Sequence, residues 1–140
     1  MSTFNNQAAI ITGAASGIGA AIAHKLISLN VKVILFDLNE KALQEQFGHY
    51  GDKAKLVGIN VTDEQVVEST VQSLISEYKR IDILVNCVGI TGITNIKSHE
   101  VTSADLHKVF EVNFMSCFYT SKALLPQMVV NNYGRILHIA

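Results

Sequence analysis

The chain has 140 residues, 49% hydrophobic and 16% charged, enough apolar content for the core of one globular domain and too few residues for two. Its 11 basic and 12 acidic side chains give a formal net charge of -1. They are spread along the chain, which excludes the electrostatic footprint of a nucleic-acid or anionic-membrane binder and leaves a small molecule as the expected partner.

In chain order, short apolar runs alternate with segments of helical period. Residues 8–12 read as a first strand, 17–29 as a helix, 32–37 as a second strand and 40–47 as a second helix. Residues 55–61 read as a third strand, and 63–78 as a third helix for which Thr62 or Asp63 offers an N-cap. Residues 81–86 read as a fourth strand, 103–130 as a long helix and 135–140 as a fifth strand. Pro126 predicts a kink or break in that long helix, because it removes a donor and crowds the preceding turn. Runs such as Val33-Ile34-Leu35-Phe36 and Ile83-Leu84-Val85 are continuous rather than alternating, as in parallel strands covered on both faces. The predicted class is therefore α/β, a Rossmann-type doubly wound parallel sheet in a single domain. Residues 89–97, rich in glycine and threonine, read as a loop inside it.

Met1 to Asn6 are polar, and Lys25, Lys32 and Asp37 interrupt the apolar segments that follow. Neither a signal peptide nor a spanning helix is predicted, and a cytoplasmic location is expected. Cys87 and Cys117 have no metal or redox spacing and read as small buried side chains. His24, His49, His99, His107 and His138 show no ligand spacing, so no metal site is predicted.

Thr12-Gly13-Ala14-Ala15-Ser16-Gly17-Ile18-Gly19 follows the first strand and opens the first helix, the context in which a glycine pattern points to a dinucleotide. One glycine permits a sharp turn, one a close approach to pyrophosphate and one the packing of helix on sheet. The helix N-terminus then favours the phosphates. A strand-to-helix turn without a ligand would use the same glycines, but the second strand ends in Asp37, placed to accept from adenosine ribose hydroxyls. Asp37 has a competing task as an N-cap, for which Asn39 is the rival. No Lys or Arg stands in the glycine loop or after Asp37, where Leu38 follows. A carboxylate about 4 Å from a 2′-phosphate would oppose it by roughly 4 kcal/mol at an effective dielectric of about 20. NAD(H) is therefore expected in preference to NADP(H).

These residues resemble the short-chain dehydrogenase/reductases over the whole chain, and among them the 3-oxoacyl-(acyl-carrier-protein) reductase group. Thr12 to Gly19 matches the family's T-G-x-x-x-G-x-G, and Asp37 its NAD-selecting acid. Asn86-Cys87-Val88-Gly89 resembles N-N-A-G, and Asn113 matches the helix asparagine. Residues 134–140 resemble the strand that leads to the catalytic serine. Asn60-Val61 stands where the family has Asp-Val at the adenine; an amide oxygen can still accept from the adenine amino group, without charge. The resemblance implies cofactor contacts from Thr12, Gly13, Ser16, Gly17, Ile18 and Gly19, from Asp37 and Leu38, from Asn60 and Val61, and from Asn86, Val88 and Gly89. Asn86 is expected to brace adjacent strand ends as much as to bind. Asn113 is expected to perturb its helix and to help hold a water linked to the catalytic lysine.

The family moves hydride between nicotinamide and a carbonyl or alcohol carbon, with a tyrosine as acid/base, a lysine that lowers its pKa and a serine that orients the oxygen. Its Y-x-x-x-K is absent here: Tyr50, Tyr78, Tyr119 and Tyr133 are followed four residues later by Ala54, Asp82, Ala123 and Leu137. The serine is expected immediately after Ala140. Residues 1–140 thus read as the N-terminal portion of an NAD(P)-binding domain, incomplete or truncated, inactive by itself and with an uncovered apolar strand and helix flank. For the full-length protein the resemblance implies a small carbonyl or alcohol substrate, a 3-oxoacyl thioester among them, and a homo-oligomer. Nucleic acid and membrane are not expected partners. The alternative is a catalytically silent NAD-binding module that regulates or scaffolds.

Overall fold

The computed structural model describes residues 4–140, so the first half of the polar start, residues 1–3, lies outside the described residues. Five parallel strands form one sheet: β1 (Ala8–Thr12), β2 (Lys32–Asp37), β3 (Ala54–Gly58), β4 (Ile83–Asn86) and β5 (Arg135–His138). Their spatial order is β3-β2-β1-β4-β5. Chain order therefore reverses between β1 and β4, and such a switch point opens a crevice outside the carboxyl ends of the strands.

Alternate residues of the inner strands face opposite sides of the sheet. Ala9, Ile11, Val33 and Leu35 pack against Ala23 and Ile27 of α1 (Gly17–Ser28) and against Leu43 and Phe47 of α2 (Glu40–Phe47). Ile10, Ile34, Phe36 and Leu84 face α3 (Glu64–Tyr78) and a later helix, Ser116–Val130, through Val67, Val71, Leu124 and Met128. Both faces being dry, the strands need no polar alternation. Each fully buried side chain of this size contributes about 1.5–3 kcal/mol by leaving water.

Three differences from the expected elements have local causes. β3 ends at Gly58, and Asn60 and Val61 lie in the turn beyond it, where Thr62 N donates to Asn60 Oδ1 at 3.1 Å. β4 begins at Ile83, and the buried Asp82 just before it bridges the neighbouring strands: its carboxylate accepts from Ala8 N at 3.0 Å and from Arg80 Nε at 2.7 Å, and its own N donates to Ala8 O at 2.9 Å. The long helix divides into α4 (Ser103–Phe110), a π-helical turn (Glu111–Met115) and α5 (Ser116–Val130). The break falls at Asn113, not at Pro126, which α5 carries inside its span. Pro126 leaves the Lys122 carbonyl without a helical donor, and both residues are exposed. Of the two N-cap candidates for α3, Asp63 takes the position and accepts from Val66 N at 3.1 Å.

Among the described residues, no helix is long and apolar enough to cross a membrane.

Candidate cofactor site

Gly13 leaves β1 at φ +65°, and a Cβ there would lie 3.0 Å from Cys87 C and O and from Val88 N. This glycine therefore makes both the turn and the close approach, letting the loop lie against the end of β4. A Cβ on Gly19 would overlap Gly13 O, so the first turn of α1 rests directly on the start of the loop. Gly17 needs only its angle, φ +54°, since nothing lies within 4 Å of the added carbon. Ser16 enters α1 in extended conformation and makes no side-chain cap bond. The orphan amides of the first turn are thereby left for an anion.

Asp37 ties this loop to the next strand. Ala15 N donates to its Oδ2 at 2.9 Å and Asn39 N to its Oδ1 at 2.9 Å, while Ala14 N donates to Phe36 O at 3.2 Å. Gln46 Nε2 of α2 donates to Ala15 O at 2.6 Å and fixes the loop from the other side. Asn39, not Asp37, caps α2, accepting from Ala42 N at 3.0 Å. Each Asp37 oxygen carries one protein hydrogen bond and keeps acceptor capacity for a hydroxyl. Leu38 beside it is 77% exposed.

A cleft of about 490 Å³ runs over the loop. Gly13, Ser16, Gly17, Ile18 and Gly19 of the loop line it, together with Asp37, Leu38, Asn60 and Val61, and with Val88 and Gly89 just beyond β4. Thr12 and Asn86, also expected to contact cofactor, stand behind this wall, both almost fully buried. Thr12 Oγ1 accepts from Cys87 N at 3.1 Å, and Asn86 Oδ1 accepts from Thr120 Oγ1 at 2.9 Å. Asn86 Nδ2 lies 3.1 Å from His138 Nδ1, so this side chain braces β4 against α5 and β5. Bracing is the role its burial favours. Asn60 lines the cleft, yet its amide oxygen already accepts from Thr62 N and, at 2.8 Å, from Thr62 Oγ1. It shapes the turn before it can meet an adenine.

The sequence reading missed Thr62, Lys108, Val112 and Ile139, all of which also line the cleft. Lys108 and Val112 stand four apart on the helical segment that carries Asn113, a spacing that puts them on one face. Only the tertiary path of that segment brings the face to the cleft.

Asn113 sits in the π turn, and π turns are frequent at functional sites. Its Nδ2 donates to Ile90 O at 2.9 Å and its Oδ1 accepts from Ile90 N at 2.8 Å. One side chain thus satisfies both backbone groups of a loop residue and holds the segment after β4. In the same stretch Ser116 Oγ donates to Val112 O at 2.6 Å and Cys117 Sγ to Asn113 O at 3.4 Å. A second cavity of about 1020 Å³ opens beside the cleft, sharing Ile18, Val88 and Gly89 with it and adding Asn113, Phe114 and Phe118. Cys87 and Cys117 both line it and are half-buried, where the sequence reading has them as small buried side chains. Burial pushes both thiols up from the ordinary thiol range, and neighbouring Cys117 raises Cys87 further.

The sequence profile of the short chain dehydrogenase family matches residues 7–140. Over 131 residues the chain is 34% identical to 3-oxoacyl-acyl-carrier-protein reductase FabG of Haemophilus influenzae, covering 94% of this chain and 53% of that protein. Over 137 residues it is 31% identical to 2-dehydro-3-deoxy-L-rhamnonate dehydrogenase (NAD(+)) of a Sphingomonas species, covering 98% and 54%. Of solved structures, a short-chain dehydrogenase from Streptomyces avermitilis superimposes with a TM-score of 0.89 at 30% identity, over 96% of this chain and 49% of that one. An NAD+-bound xylitol dehydrogenase gives 0.88 at 32% identity, over 96% and 52%. The chain spans about half the length of the relatives it matches. With a profile match over residues 7–140, a parallel sheet in the order β3-β2-β1-β4-β5 and a glycine loop at its switch point, this chain belongs to the short chain dehydrogenase family.

Proposed function

We propose that this chain is the cofactor-binding part of an NAD(H)-dependent oxidoreductase that acts on a small carbonyl or alcohol compound. The observation that carries the reading is the cleft in which the open N-terminus of α1 and the Asp37 carboxylate face one volume. The residues fit a dinucleotide: Gly13 and Gly19 lie where a Cβ would press on neighbouring backbone, so the loop keeps its surface free of side chains. When bound, the cofactor supplies hydride chemistry at its nicotinamide ring. The amides of α1 hold the pyrophosphate, Asp37 accepts from ribose hydroxyls, and the Asn113 clamp on Ile90 shapes the nicotinamide side. Asn113 reaches the chemistry through the loop it positions. The substrates of the relatives, a 3-oxoacyl thioester and sugar-derived alcohols or acids, are the classes to test first.

No tyrosine here has a lysine four residues on, so the 140-residue chain is expected to bind NADH without turnover. Positioned acid/base groups contribute about 10²- to 10⁴-fold to rate, and binding does not replace them. The test is NADH oxidation by the chain and by a version extended with a serine and Tyr-x-x-x-Lys segment. Turnover by the pure short chain would overturn the account; binding without turnover by the extended one would favour a silent NAD-binding module.

NAD(H) is preferred over NADP(H) because Asp37 repels a 2′-phosphate and Leu38 offers it no cation. Lys108 is the cation to watch, since it lines the cleft from α4. Lys108→Ala should weaken NADH and NADPH binding alike. A selective loss of NADPH binding would mean that Lys108 serves the phosphate and that the preference is misassigned.

A further inference from the structure

Asn60 follows β3 in a tight turn whose bonds leave its side-chain amide no choice of orientation. Asp63 N donates to Asn60 O at 3.2 Å and closes the turn, while Thr62 N at 3.1 Å and Thr62 Oγ1 at 2.8 Å both donate to Asn60 Oδ1. A backbone N–H only donates, so the amide oxygen and not the nitrogen has to face it. That oxygen has two lone pairs, and both are used. The oxygen that the sequence offers to an adenine amino group is therefore full. The group that Asn60 keeps for a ligand is Nδ2, which donates and does not accept.

Strand pairing brings this donor next to Asp37. Asp37 stands opposite Gly58 in the register of β2 with β3, and Ile59 N donates to Asp37 O at 2.8 Å. Ile59 is buried, so the exposed Asn60 is the first polar side chain beyond that bond, and it lines the same cleft as Asp37. A purine joined to a ribose at Asp37 has its next polar protein group there. The purines differ in what they offer such a group. Adenine carries an amino group, a donor, where hypoxanthine, like guanine, carries an oxo group, an acceptor.

We propose that Asn60 makes the base end of the cleft select for acceptors, so that a nicotinamide dinucleotide carrying hypoxanthine binds at least as tightly as NADH. This rests on the reading above, in which Asp37 takes the adenosine ribose. Adenine is still held, because its ring nitrogens accept, but its amino group gains nothing from Asn60. Asn60→Asp is nearly isosteric and inverts this polarity. One carboxylate oxygen keeps both bonds from Thr62, and the other stands in the place of Nδ2 as an acceptor. Setting donor against donor, or acceptor against acceptor, leaves polar groups unpaired and changes affinity by about tenfold.

The experiment titrates the whole chain and Asn60→Asp, each checked for folding by circular dichroism, with NADH and with reduced nicotinamide hypoxanthine dinucleotide in a calorimeter. The unmodified chain is expected to bind the hypoxanthine form at least as tightly as NADH, and Asn60→Asp to shift the ratio of the two affinities about tenfold toward NADH. Thr62→Val frees one lone pair of Asn60 Oδ1 and should shift the ratio severalfold in the same direction, which keeps the test open if Asn60→Asp does not fold. A tenfold or greater preference of the unmodified chain for NADH would overturn the proposal. So would a ratio that ignored Asn60→Asp and followed Lys108→Ala, since Lys108 also lines the cleft and would then be what meets the base. Binding of neither dinucleotide would instead overturn the cofactor reading itself, an outcome distinct from binding both in the wrong order.

Discussion

Asp37 holds the glycine loop with a carboxylate to which the proposed function gives a second task, and separating the two is the sharpest test at the scale of a single residue. Its bonds to Ala15 N and Asn39 N hold the glycine loop and the entry to α2 in place, and the residue lines the cleft. Asp37→Ala is expected to weaken NADH binding and to narrow the preference over NADPH, read by titrating both cofactors. An unchanged ratio would show that discrimination lies elsewhere. The glycines separate in a similar way. Gly19→Ala places a methyl group on Gly13 O and should disrupt the loop, with loss of NADH binding. Gly17→Ala meets no atom and carries only the cost of a left-handed backbone, about 1–2 kcal/mol, visible as a lower urea midpoint in a chain that still folds. Equal effects of the two would contradict this geometry.

At the scale of elements, the π turn and the loop after β4 form one unit because Asn113 bonds both backbone groups of Ile90. Asn113→Ala should release that loop at a cost of about 1–2 kcal/mol, the net value of two hydrogen bonds. Hydrogen exchange should report it, with the Ile90 amide and its neighbours losing protection while α5 keeps its own. If protection at Ile90 persisted, the clamp would not be what orders the loop. The sequence made Asn113 conspicuous, since an asparagine in an apolar helix has to be answered by something. What answers it, a backbone donor and acceptor 23 positions upstream, is not a local property.

For the whole molecule, an exposed apolar stripe runs along the α4–α5 segment. Phe110, Phe114, Phe118, Leu125 and Val129 are 45–74% exposed, and the Phe110 and Phe114 rings stack at 4.9 Å. Beside it, among the described residues β5 pairs only with β4, and it is largely exposed. Contiguous apolar surface and an open strand edge both favour association. The chain made alone is therefore expected to form concentration-dependent oligomers or aggregates in size-exclusion chromatography. The double substitution Phe114→Ser and Phe118→Ser should shift it toward monomer, and an unchanged profile would leave the β5 edge as the responsible surface.

The sequence by itself determined the order of elements, the glycine turn and the acid at the end of β2, because each depends on residues close in the chain. β1, β2 and α2 have the expected ends, since Thr12-Gly13, Asp37 and Asn39 are local signals of turning and capping. It also carried the family, through motifs that are short and contiguous. Tertiary structure decided which of those motif residues face the cleft. Thr12 and Asn86 belong to the same motifs as Gly13 and Gly89, yet strand pairing and α5 packing turn them inward, Thr12 to accept from Cys87 N and Asn86 to accept from Thr120 Oγ1. Lys108 and Cys117 reach the cavities only through the path of the helical segment, which is set by long-range burial on the Leu124 face. No spacing along the chain encodes that path, because it results from contacts between residues far apart in sequence.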